Sequence, residues 1–137
     1  VRGVLSLVTA PVQRVLLVED NPHWRAQLRR WAGAASHAVV HEAATADEAI
    51  AWLQAHADGW DLAVVDAFLA GGNGYTVLKH CQRQHPHQRV VMLSNYARAE
   101  ARQQALRLGA DRFFDKDTEL DACLDYCFAR PEPAAAV

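Results

Sequence analysis

The chain has 137 residues, 51% hydrophobic and 22% charged, which is enough apolar material for one packed domain and too balanced for a disordered or fibrous chain. A formal net charge of -2 supplies no basic field and argues against binding nucleic acid or an anionic membrane surface. No apolar run approaches the roughly 20 residues needed to span a bilayer, the start is poor as a signal peptide, and three widely spaced cysteines exclude a disulfide framework and fit a reducing cytoplasm.

Residues 1–12 show no periodicity and read as an N-terminal arm. The run from Arg14 to Glu19 reads as a first strand closed by the paired acids Glu19 and Asp20. Asn21 followed by Pro22 has the form of an N-cap with proline at the first helical position. The helix it opens runs to about Ala34, with Trp24, Leu28 and Trp31 as one apolar stripe that reads as core. A second strand follows over Ala38–Ala43.

Thr45 and Glu48 form a capping box for a helix to about His56, with Ala49, Ile50, Leu53 and Ala57 inward. The third strand ends at Asp66, and Ala67 to Gly74, rich in glycine, reads as a loop. A third helix is predicted over about Tyr75–Gln84, burying Val77, Leu78 and Cys81. His80, Cys81, His85 and His87 lie close in sequence, but their spacing matches no standard metal site.

A strand over Arg89–Ser94 leads to a helix over about Ala97–Leu108 with a thin alanine-rich stripe, closed by Gly109. The last strand is Arg112–Asp115. The last helix begins near Asp117–Thr118 and buries Leu120, Cys123, Leu124 and Cys127; residues 131–137, with two prolines, read as a disordered tail. Five short apolar runs alternating with helical lengths indicate parallel strands buried on both faces. With right-handed crossovers, this predicts an α/β, three-layer, doubly wound, flavodoxin-like domain with strand order 2-1-3-4-5.

In such a sheet ligands bind outside the carboxyl ends of the strands. Glu19, Asp20, Asp66, Ser94 and Lys116 all stand at strand ends, so the topology brings them to one pocket. Three carboxylates repel one another unless a cation neutralises them, and oxygen-only ligands select a hard ion such as Mg²⁺ where phosphate also binds. A lysine ammonium and a serine hydroxyl are suited to phosphate oxygens. The set describes a place where a phosphoryl group sits on Asp66.

With Glu19-Asp20, Asp66, Gly74, Ser94, and Phe113 three residues before Lys116, residues 13–130 closely resemble the receiver domain of two-component response regulators. The resemblance implies that Asp66 is the phosphoacceptor, that Asp20 and Asp66 bind Mg²⁺ directly, that Glu19 acts through water and that the Phe68 backbone carbonyl completes the protein ligands. It implies that Ser94 and Phe113 are a coupled switch pair, with Phe113 turning inward on phosphorylation. The signal would leave through the face of the fourth helix, fifth strand and fifth helix, where a partner or a second copy docks.

The implied phosphodonor is a histidine kinase or a phosphotransfer protein of a phosphorelay. The protein would be cytoplasmic, would touch neither DNA nor membrane, and would catalyse only its own phosphoryl transfer and slow dephosphorylation. No output domain follows the last helix, so the chain is expected to be a stand-alone receiver or one excised from a larger protein.

The chain departs from the family's pattern at three places. Leu69-Ala70 stand where Met-Pro is common. Asp117 stands where a cis proline follows the lysine, so a trans bond is expected. Asn95 stands where a small residue follows the switch hydroxyl, which narrows access to Asp66. In receivers the residues two beyond the acceptor and two beyond the switch hydroxyl flank a water's approach to the acyl phosphate. The resemblance implies Phe68 and Tyr96 for these places, neither a general base at neutral pH, which predicts a long-lived phosphorylated state. A pseudo-receiver that binds partners without phosphorylation is the alternative. A haloacid-dehalogenase-like phosphatase would need an acid where Phe68 stands, and Glu19-Asp20 would repel a flavin phosphate.

Overall fold

The structure, a computed structural model, describes residues 12–128; the arm expected over residues 1–12, Val12 apart, and the tail expected over 131–137 lie outside the described residues. The runs read as strands form one parallel sheet: β1 (Arg14–Val18), β2 (Ala38–Ala43), β3 (Leu62–Asp66), β4 (Arg89–Ser94) and β5 (Arg112–Asp115), in the order β2-β1-β3-β4-β5. The expected strand order is therefore the observed one. Each strand is followed in the chain by one helix: α1 (Pro22–Ala34), α2 (Ala46–Ala55), α3 (Gly74–His80), α4 (Ala99–Arg107) and α5 (Leu120–Phe128).

Alternate residues of the central strands point to opposite faces, and both faces are covered, so the apolar runs are continuous. Leu16, Val18, Val65 and Met92 pack toward α2, α3 and α4. Val15, Leu17, Val64 and Leu93 pack toward α1 and α5, through Leu28, Ala32, Cys123 and Cys127. All three cysteines are buried free thiols. Among the described residues no helix is long and apolar enough to cross a membrane.

Both expected N-caps form. The Asn21 side chain accepts from His23 N–H and Trp24 N–H, and Thr45 and Glu48 complete a reciprocal capping box. Four local expectations are corrected. The loop after Asp66 contains a two-residue hairpin that pairs Phe68 with Asn73 and Leu69 with Gly72. Helix α3 stops at His80 instead of Gln84 because residues 81–88 are held by a tertiary contact: buried Gln88 accepts from Gln84 N–H and His85 N–H and donates to the carbonyls of Ala57 and Trp60. Ala57 lies past the end of α2 and is exposed. Helix α5 starts at Leu120, because Asp115 Oδ1 first accepts from Asp117 N–H and Thr118 N–H in a side-chain-closed turn.

Candidate functional site

The site is built at the carboxyl ends of β1, β3, β4 and β5. Parallel register pairs Val18 with Val65, so the next residues along, Glu19 and Asp66, stand side by side. Register also pairs Ser94 with Asp115, which brings Lys116 over the end of β4, where its N–H donates to the Ser94 carbonyl at 2.9 Å. Carboxylate oxygens of Glu19, Asp20 and Asp66 all lie within 4.8 Å of one another. Glu19 and Asp66 are buried and Asp20 is half-buried.

Burial, and then the neighbouring charge of Glu19, push the Asp66 carboxyl up to about 7, with Lys116 opposing the shift. The Lys116 ammonium donates to Glu19 Oε1 at 2.8 Å and lies 3.4 Å from Asp66 Oδ1. Its side chain is only 4% exposed, so these contacts hold it in place. One ammonium against three carboxylates leaves an excess of negative charge on oxygen ligands, a donor set that fits a hard divalent cation.

Backbone approach sets the rest. Gly74 opens α3 directly beside Asp66: its N–H donates to the Ala67 carbonyl, and a Cβ there would lie 2.1 Å from the Asp66 carbonyl oxygen. Ser94 is fully buried, and its Oγ accepts from Tyr96 N–H at 2.9 Å, which leaves its own proton to donate. Phe113 is already inward, at 7% exposure, packed in the core with the Arg102 guanidinium 5.3 Å from its ring centroid. An inward turn of this ring would therefore start from a buried position. Phe68 and Tyr96 are exposed, with ring centroids 5.2 Å apart and edge to face, and Asn95 is exposed beside them. No peptide bond is cis among the described residues.

Three supporting residues carried no legible signal in the sequence. Arg25 donates to the Glu19 carbonyl at 2.8 Å and pairs with Glu42, anchoring the acidic turn. Arg102 donates to the Phe113 carbonyl and to Glu119, tying α4 to the end of β5. Trp24, read as core, also presents its ring to Lys116, with Nζ 4.9 Å from the centroid. All three are long side chains that reach across elements, so their partners depend on tertiary placement. Among the described residues the histidines around Cys81 form no metal-ligand cluster. His85 and His87 instead face Asp58 and Asp61.

Comparison with known proteins agrees with this geometry. Residues 15–127 match the family described as the response regulator receiver domain. The C4-dicarboxylate transport transcriptional regulatory protein DctD of Pseudomonas aeruginosa is 32% identical over 113 residues, which is 82% of this chain. The chain spans about a quarter of that relative's length, 24%. A response regulator from Burkholderia pseudomallei, solved with a phosphorylated aspartic acid, calcium ion and citrate, is 25% identical with a TM-score of 0.72, over 84% of this chain and 66% of that one. The CheX–CheY–BeF3–Mg complex from Borrelia burgdorferi shares the fold, with a TM-score of 0.74 at 23% identity, over 84% and 85% of the two chains. A strand-end acidic pocket, a doubly wound five-stranded sheet and a family match over nearly the whole described chain lead to one conclusion: the protein belongs to the receiver domain family of two-component response regulators, signalling switches phosphorylated on aspartate.

Proposed function

We propose that Asp66 is the phosphoacceptor and that the chain is charged by a histidine kinase or phosphotransfer protein. The observation that carries this reading is the convergence of Asp66, Glu19, Asp20 and Lys116 at one buried strand end. An Asp66 carboxylate oxygen would attack the phosphorus as the bond to the donor's imidazole nitrogen breaks, and the leaving imidazole retains that electron pair. Glu19, Asp20 and Asp66, with the Phe68 carbonyl, would hold Mg²⁺, whose charge offsets that of the phosphoryl oxygens. Lys116 and the Ser94 hydroxyl proton would each contact a phosphoryl oxygen. The contacts of Arg102 with Phe113 and Glu119 support a route from Ser94 and Phe113 to the face of α4, β5 and α5, where a partner or a second copy would dock. Intact mass after incubation with acetyl phosphate and Mg²⁺ should show one added phosphoryl group, absent in Asp66→Asn. An equal gain in that variant would move the acceptor elsewhere.

The exposed aromatics bear on lifetime. Phe68 and Tyr96 each follow a strand end by two residues and pack on one another beside a groove of about 390 Å³ that they line with Arg98, Glu100, Ala101 and Gln104. In this reading the pair narrows the path of an attacking water and offers it no general base. Phe68→Asn with Tyr96→Glu should speed dephosphorylation about tenfold, roughly 1.4 kcal/mol of barrier. An unchanged half-life in a double variant that still takes phosphate would sink this assignment.

A further inference from the structure

We infer that Trp24 is a positioning residue for Lys116, its indole face holding the ammonium beside Asp66 when a cation draws on the carboxylates; this rests on the reading of Asp66 as phosphoacceptor. The ammonium has three partners and almost no water: Glu19 Oε1 at 2.8 Å, Asp66 Oδ1 at 3.4 Å and the Trp24 ring centroid at 4.9 Å. Two of these partners belong to the cluster that offers its oxygens to a metal. A lysine is a point charge on a flexible four-carbon stem, so losing carboxylate contacts would free it to wander. The aromatic face attracts a cation without supplying an oxygen ligand, so it does not compete for the metal.

Both sides of the contact are anchored. The Trp24 backbone sits in the capped first turn of α1, and its ring meets Trp31 edge to face, with centroids 6.4 Å apart. The Lys116 backbone is fixed by its bond to the Ser94 carbonyl and by the turn that Asp115 closes, in a chain where Asp117 replaces the proline common after this lysine. Packing in the stripe of Trp24, Leu28 and Trp31 explains why an aromatic fits here. It does not account for the ammonium over the ring.

The test is a double-mutant cycle of Trp24→Leu and Lys116→Met, read two ways. In metal-free thermal melts the two changes should be non-additive by about 4 °C, and Trp24→Phe, which keeps an aromatic face, should retain most of that coupling. With acetyl phosphate and Mg²⁺, Trp24→Leu should slow phosphorylation about tenfold and Trp24→Phe about twofold at most, while Trp24→Leu added to Lys116→Met should slow it no further. Additive melting, or a Trp24→Leu loss that persists in the Lys116→Met background, would overturn the positioning role alone. A wild-type chain that gains no phosphoryl group would overturn the Asp66 reading and the positioning role with it.

Discussion

Asp66→Asn should make the metal-free domain more stable than wild type at pH 8, with a much smaller gain at pH 5. The Asp66 carboxyl is pushed up from 3.8 to about 7 by burial and by Glu19. An acid whose folded pKa lies above its unfolded value stabilises the fold while protonated. That contribution is whole below about pH 4 and is lost as pH rises through 7. Between pH 5 and 8 the loss amounts to about 2 to 3 kcal/mol, and an uncharged asparagine removes it. Urea unfolding of both proteins in chelator at the two pH values isolates this one group, because the rest of the chain is the same in both. Parallel pH profiles would refute the shifted carboxyl. Mg²⁺ should flatten the wild-type slope, since a cation that binds only the folded, ionised cluster adds stability in proportion to its occupancy. If Asp66 takes the phosphoryl group as proposed, function is kept there at a cost in stability.

Gly74→Ala should lower stability by about 3 to 5 kcal/mol, among the largest effects of any single methyl group in this chain. The added Cβ would lie 2.1 Å from the Asp66 carbonyl oxygen and 2.9 Å from Val65 Cγ1, and neither neighbour is a free side-chain end. Relief requires moving either the start of α3 or the end of β3, and the second would displace Asp66 itself. Gly33→Ala is the matched control, because its Cβ would meet nothing within 4 Å in the exposed last turn of α1. There the change should be neutral or stabilising by about 0.5 to 1 kcal/mol, through lower unfolded-chain entropy and better helix propensity. A Gly74→Ala loss below about 1 kcal/mol in urea titration would mean the backbone yields more easily than close packing allows.

Sequence by itself determined the layer architecture and the acidic pocket. Strands buried on both faces must be apolar along their whole length, so Arg89–Ser94 and Arg112–Asp115 could be read to the residue. Caps are local chemistry, so Asn21 and Thr45 marked the starts of α1 and α2. Parallel topology then sends every strand's carboxyl end to one edge, which is why Glu19, Asp20, Asp66, Ser94 and Lys116 could be gathered without coordinates. Tertiary structure alone decided what runs between elements distant in the chain. Gln88 reaches back to Ala57 and Trp60 and ends α3 early, against the helical propensity of residues 82–84. Arg102 crosses to Phe113 and Glu119, and Lys116 closes onto Glu19 beneath Trp24. These long polar side chains have many conformations of similar local energy, and only the packed surroundings select one.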